Sequence, residues 1–339
     1  MPSAESPPYS ITPAMLTQVA EIAGELGRLV ALGSLAQTPK LRREQRIRSV
    51  HASLAIEQNS LSLEQVTAVI EGRRVLGPPR EIQEVKNAFA AYEEMPRWRP
   101  DSVKDLLAAH GRMLHGLAED AGRFRSGAVG IAKGDRIVHL APPAARVPGL
   151  MRNLLDWVKK TDAHPLVSSS VFHYELEFIH PFSDGNGRMG RLWQTLILSR
   201  WNPLLAYLPV ESVIREKQEG YYEVLATCDR AGQSTAFIEF MLGALLTALR
   251  SLGQTDQATD QATDQATDQA TDQVKALLDI LADGPLSASE CLRRLGLSHR
   301  PTLRENYLNP ALAGGLIELT EPERPRSPRQ RYRLVRRPS

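Results

Sequence analysis

The sequence predicts a mainly α protein with one small β-hairpin, followed by a small α+β domain. Three observations carry that expectation. Segments 165–179 and 188–200 bear apolar residues at helical spacing on either side of a glycine-rich turn. A composition break at 255–273 reads TDQA four times and then TDQ. The remaining 66 residues show three helical patterns and then two short strand-like runs. A length of 339 residues with 42% hydrophobic and 24% charged side chains is ordinary globular composition, with chain enough for two domains. The organisation expected is an N-terminal helical region over 1–100, a core over 101–250, a linker over 251–273 and a second domain over 274–339.

Taken in order, an amphipathic helix begins near Pro39 and carries His51 to Asn59. Gly130 to His139 reads as a hairpin, because short apolar runs flank Lys-Gly-Asp and the following Ala-Pro-Pro ends the strand. Pro165 suits a first helical turn, and Leu166, Val171, Tyr174 and Phe178 continue that helix to the threshold of His180. Gly185-Asn186-Gly187 is a tight turn at the start of the next helix, where unpaired N–H groups and the helix dipole favour an anion. Thr and Asp are poor helix interiors and nothing in the TDQA repeat can bury, so it reads as an exposed linker, with a helical spacer as the alternative. In the tail, Val274, Leu277, Leu278 and Leu281 share one face, Ser287 to Leu295 forms a second helix closed by Gly296, and Arg300 to Leu308 a third. Leu316 to Leu319 and Arg331 to Leu334 are the two strands.

The chemistry concentrates in His180-Pro-Phe-Ser-Asp184-Gly-Asn-Gly-Arg188-Met-Gly-Arg191. Arg188 and Arg191, three apart, share a helical face and suit phosphate oxygens. Asp184 suits Mg²⁺ (or Mn²⁺), a hard cation that takes one or two carboxylates plus phosphates. His180, whose imidazole titrates near neutrality, suits the removal of a hydroxyl proton. Singly, each has a bland reading: a helix-end histidine, a common Asp-Gly turn, solvated first-turn charges.

Together they resemble the Fic family signature H-x-F-x-[DE]-G-N-G-R-x-x-R at every fixed position. The resemblance implies a Fic-type helical catalytic domain that transfers AMP from ATP to a hydroxyl side chain of a target protein and releases pyrophosphate. It makes His180 the general base, Asp184 the metal ligand, Gly185, Asn186 and Gly187 the anion hole, Arg188 and Arg191 the phosphate clamp, and Phe182 the buried anchor of the loop. The Gly190 position and the full clamp favour AMP transfer over phosphorylation.

Ser53 and Glu57 resemble the family's inhibitory motif [ST]-x-x-x-E-[GN], in which the Glu pairs with the second arginine, here Arg191; Gln58 departs from Gly or Asn. The alternative for Glu57 is an ordinary surface side chain. Gly130, Ile131, Ile137, Val138 and His139 occupy the position of the family's flap, where a target segment docks by strand pairing. Tyr221 and Tyr222 resemble the tyrosine pair near the nucleotide, with core tyrosines as the rival reading. The same site run backwards is a deAMPylase, and a DNA-binding regulator with a sensing Fic domain is a third class.

The tail has the order of a winged helix and resembles the modules that follow Fic domains. Its twelve Lys and Arg against seven acidic residues leave a surplus of five, although the whole chain carries only +2. DNA contact through Arg300, Arg304 and Asn306, with wing arginines on phosphate, is one expectation; a protein-contact module or a solvated arginine-rich end is the other. Two cysteines, Cys228 and Cys291, far apart, favour free thiols in a reducing compartment. The N-terminus lacks the basic start and apolar run of a signal peptide, and no apolar stretch of about 20 residues is evident. A cytoplasmic protein away from membranes is expected. Its partners are ATP and a hydroxyl-bearing protein, itself included, and a homodimer is compatible with the resemblance.

Overall fold

The computed structural model describes residues 6–32, 39–133, 136–321 and 330–335; the side chains of 32, 130–133, 136–140 and 254–271 lie outside the description. The chain divides into two compact units, Met1–Gly253 and Gln254–Ser339.

In the first unit the helices are α1 (Pro13–Leu32), α2 (Pro39–Ile56), α3 (Leu63–Ile70), α4 (Pro79–Glu94) and α5 (Val103–Met113). An antiparallel hairpin follows, β1 (Gly130–Lys133) with β2 (Arg136–Leu140), then α6 (Val147–Lys160), α7 (Pro165–Ile179) and α8 (Asn186–Trp201). The unit closes with α9 (Val210–Glu216), α10 (Gln218–Ala231) and the start of α11 (Thr235–Leu281). The mainly helical fold with a small hairpin is the one the sequence predicts, and α7 keeps its expected bounds.

Helix α7 is the hinge pin of the core. It is apolar or small along most of its length, with Glu175 and Glu177 half-buried near its end, so it buries on nearly every side, as a helix between two layers must. Phe172, Leu176 and Ile179 join a cluster with Val50, Leu54, Tyr92, Leu106, Phe182 and Trp193. Leu166, Val171 and Tyr174 face a second cluster with Ile22, Tyr221, Phe237, Met241 and Leu245. The hydroxyls of Ser169 and Ser170 bury without cost in unmet hydrogen bonds because both donate to the Leu166 carbonyl. Residues 1–100 therefore share one core with 101–250, since α2, α4, α7 and α8 contribute to the same cluster.

Two expectations need correction. The TDQA repeat has helical backbone within α11, the helical spacer given as the alternative to an exposed linker; strong helix formers on both sides supply the nucleus that the repeat lacks. Thr235–Gly253 is, by length and composition, apolar enough to cross a membrane, although 61% of that window is buried in the protein.

The second unit orders the end of α11, α12 (Ala288–Arg294), α13 (Arg300–Leu303), α14 (Asn309–Ala313), β3 (Ile317–Leu319) and β4 (Tyr332–Leu334). Leu277, Leu281, Leu286, Cys291, Leu303 and Ile317 form its core. Strands β3 and β4 pair antiparallel, and Leu286 bridges Tyr332. Between α13 and α14 a π-helical turn spans Arg304–Leu308. Pro310, which lacks an N–H and crowds the carbonyl four residues back, accounts for that widening.

Candidate active site

The site is built on one loop between α7 and α8. His180 ends α7 in the left-handed region (φ 49°, ψ 62°), its N–H on the Leu176 carbonyl. Few non-glycine residues sit there, and the conformation turns the imidazole out of the helix line. Its Nδ1 lies 3.3 Å from the Glu177 carbonyl. A carbonyl only accepts, so Nδ1 carries the proton and Nε2 carries the basic lone pair.

The loop is held from inside. Phe182 is fully buried and stacks on His110, ring centres 3.7 Å apart and 8° from parallel. Asn186 accepts the Phe182 N–H at 3.0 Å and donates to the Phe182 carbonyl at 2.9 Å. The Asn186 side chain is thus a staple across the loop, and its second amide N–H and its backbone N–H are the groups it can offer an anion. Gly122 donates to His110 Nδ1 at 2.9 Å, so His110 Nε2 bears the proton and donates to the Asp184 carbonyl at 3.0 Å. Burial pushes the His110 imidazole below its ordinary value, which keeps it neutral in that role. Neither His110 nor Arg125, which reaches the His180 carbonyl, is among the residues predicted from the sequence; neither carries a local signal, because each grips backbone more than 50 positions away.

Gly185 (φ 85°) opens α8 with a conformation and a space that only glycine fits, since a Cβ would lie 2.7 Å from Leu114 Cδ2. The first N–H groups of α8 follow and have no intrahelical partners. Arg188, 4% exposed, donates to Asp184 Oδ1 at 2.7 Å and lies 3.8 Å from Glu84 Oε1, while its buried Nε has no partner among the described residues. An orphaned guanidinium N–H beside a helix N-terminus fits a phosphate oxygen. Asp184, with Arg80 on its other oxygen at 3.3 Å, is a partly exposed hard donor and fits Mg²⁺ shared with phosphates.

The second arginine is already occupied. Arg191, 2% exposed, donates to Ser53 Oγ at 2.9 Å, the Ser53 carbonyl at 3.0 Å and Glu57 Oε1 at 2.7 Å. Burial opposes its charge, but Glu57, helped by Tyr221 and Glu177, outweighs it and raises the guanidinium above its usual value. The Glu57 carboxylate also lies against Gly187, where a Cβ would collide with Oε1. Glu57 thus sits over the cradle itself.

One boundary differs from expectation: α2 stops at Ile56, and Glu57 to Asn59 form its cap. Asn59 N–H bonds the Leu54 carbonyl, Gln58 N–H the Ala55 carbonyl, and Gln58 is left-handed (φ 68°), a Schellman arrangement. Gly is the usual occupant because it has no Cβ, and Asn follows because its short amide side chain can bond the local backbone. Gln58→Gly is therefore expected to stabilise the protein by about 1 kcal/mol, read as a higher denaturant midpoint; an unchanged midpoint would refute the strain.

Of the remaining predicted residues, Tyr221 takes the position of the core-tyrosine alternative. It is 1% exposed, with its hydroxyl 3.1 Å from His173 Nε2 and its ring packed on Phe237 and Phe240, so the core-tyrosine alternative holds and no face is open to a base. Tyr222 is exposed, beside Gln218. Gly130, Ile131, Ile137, Val138 and His139 lie in the predicted hairpin, and their side chains fall outside the described residues.

His173 itself is fully buried, its Nδ1 2.7 Å from Gln194 Oε1, and burial pushes its imidazole down to about 3. The unfolded chain takes up this proton near 6.5 and the folded one does not, so stability is complete above that value and is lost as pH falls towards 3. Urea unfolding is expected to lose about 2–3 kcal/mol from this group between about pH 7 and 4.5. His173→Phe should remove that slope, whatever its absolute stability, and a retained slope would reject the assignment.

Residues 100–198 match the family model described as Fic/DOC family, and residues 272–335 match the Filamentation induced by cAMP protein Fic-like, C-terminal domain. The chain is 28% identical over 239 residues to Protein adenylyltransferase Fic of Nematostella vectensis, covering 67% of this chain and 53% of that protein. It is 31% identical over 211 residues to Protein adenylyltransferase fic-1 of Caenorhabditis elegans, covering 58% and 40%. The chain thus spans about half or less of the length of these curated relatives. The crystal structure of a Fic family protein from Desulfovibrio desulfuricans G20 is 58% identical, with 99% of this chain and 100% of that chain covered at a TM-score of 0.75. A Fic domain containing signaling protein from Bacteroides thetaiotaomicron VPI-5482 shares the fold at 19% identity, with 68% and 95% covered and a TM-score of 0.58.

Proposed function

The chain belongs to the Fic family, and from that premise we propose that it is a protein adenylyltransferase moving AMP from ATP to a hydroxyl side chain of a protein. The observation that carries the reading is convergence: one loop brings His180, the open N-terminus of α8 and two buried guanidiniums together. His180 Nε2 takes the hydroxyl proton as the oxygen bonds to the α-phosphorus; the bond from that phosphorus to the bridging oxygen breaks, and pyrophosphate leaves with the electron pair. The N–H groups at Gly185 to Gly187 and the Arg188 and Arg191 guanidiniums face the charge that develops. Asp184 would hold Mg²⁺, which when bound neutralises phosphate charge.

The resting state is autoinhibited in this reading. Glu57 neutralises Arg191 and lies against Gly187, which supports a brake supplied by the chain's own helix α2. The deciding experiment incubates wild type and Glu57→Gly with ATP labelled at the α- or the γ-phosphate. Label retained from the α position alone supports AMP transfer; label from the γ position would mean phosphorylation. No label from either, with AMP released from an adenylylated protein, would reverse the direction.

Two buried free thiols, Cys228 and Cys291, support a reducing, cytoplasmic setting. The basic surplus of residues 274–339 supports DNA contact as an additional role, with Arg304 and Asn306 exposed on the third helical segment of that stretch. Against that, Arg300 bonds Ser289, and Arg331 and Arg333 lie on Glu290 and Glu318. Arg324, Arg326, Arg329, Arg336 and Arg337 lie outside the described residues.

A further inference from the structure

Arg125 is 4% exposed, and every acceptor of its side chain is a backbone carbonyl. Nε donates to His180 at 2.7 Å. One terminal nitrogen donates to Gly127 at 2.8 Å, and the other to Pro142 at 2.6 Å and, at 3.4 Å, to Ile179. The Arg125 N–H completes the set on the Pro181 carbonyl at 2.9 Å.

The positions of these acceptors matter more than their number. Gly127 lies three residues before β1 and Pro142 two residues after β2, so they are the two feet of the hairpin. Ile179, His180 and Pro181 are the threshold of the motif loop. A guanidinium is a flat plate with donors in fixed directions. Sliding the hairpin against His180 therefore requires breaking charge-assisted bonds on one side of that plate.

In the adenylyltransferase reading, on which this step rests, the hairpin presents the target segment and His180 takes its proton. We infer that Arg125 is a positioning residue that sets the register between the hairpin bearing the target hydroxyl and the His180 base. It touches neither nucleotide nor hydroxyl. Its loss should reduce the rate of the chemical step while leaving nucleotide binding alone, because the phosphate clamp stands on α8 and none of the carbonyls that Arg125 bonds belongs to that helix.

The test compares Arg125→Ala and Arg125→Lys, each in the full chain carrying Glu57→Gly. A displacement on the order of 1 Å between reacting groups costs about 100-fold, so kcat is expected to fall by about that factor in Arg125→Ala. The KM for ATP should stay within about threefold, and millimolar guanidinium should restore part of kcat by refilling the slot. Arg125→Lys keeps the charge without the fork and should lose kcat with the same unchanged KM; it carries the test if the alanine variant does not fold. An unchanged kcat overturns the inference, as does a parallel loss of kcat and ATP affinity without rescue. The His180 imidazole resonance, assigned by its absence in His180→Ala, gives a readout independent of transfer. If the Glu57→Gly parent transfers nothing, the adenylyltransferase reading fails; a His180 resonance shifted by Arg125→Lys still sustains the positioning role, and an unshifted one rejects it.

Discussion

Glu57→Gly is expected to raise transfer of the α-phosphate label by about 100-fold. Arg191 is almost wholly buried, and its bond to Glu57 is short and charge-assisted, whereas the Glu57 side chain remains 35% exposed. A hydrogen bond of that kind is worth about 1.5–3 kcal/mol, and an incoming phosphate must displace it before using the same guanidinium. Removing about 2.7 kcal/mol of competition corresponds to about 100-fold at fixed nucleotide. The fold should survive, because Arg191 keeps both bonds to Ser53 and because residue 57 is the cap of α2, where glycine is tolerated. Glu57→Gln, which keeps an acceptor and loses the charge, should fall between. ATP affinity measured by calorimetry should rise alongside the rate. Equal rates in wild type and Glu57→Gly would show that α2 is not the brake, and would turn attention to the carboxylates around Arg188.

How legible the site was depended on how local its chemistry is. His180, Asp184, Arg188 and Arg191 lie within twelve residues, and the turn and helix start that organise them are written in the same residues. The end of α2 was read too late because Gln58 does not announce a left-handed residue, although its neighbours bond as a Schellman cap. His110 and Arg125 were illegible for a different reason: they recognise carbonyls, which every residue has, so no side-chain pattern marks the acceptors. Tyr221 failed because its burial is decided by Phe237 and Phe240 on α11, not by its own helix. The TDQA repeat failed in the opposite sense, since a local propensity argument ignored the helices that flank it.

His180→Ala, made in the Glu57→Gly protein, is expected to lower transfer by about 100- to 10,000-fold, the range a positioned general base supplies. Nδ1 is committed to the Glu177 carbonyl, so the imidazole has one tautomer and presents Nε2 as the base. The arginines that would hold the nucleotide stand on α8, where Arg188 is fixed by Asp184 and Arg191 by Ser53. ATP affinity should consequently remain within about threefold while the rate collapses, the pattern of an interaction used only in the transition state. Histidine at φ 49° already bears the Cβ penalty of a left-handed residue and alanine bears it equally, so any loss of stability comes from the missing ring and must be separated from the loss of rate. His180→Asn does this, because asparagine tolerates the left-handed region but has no basic nitrogen at neutral pH. Both variants should be equally inactive. If the asparagine protein transfers label at the parent rate, the proton leaves by another route and His180 serves the loop rather than the chemistry.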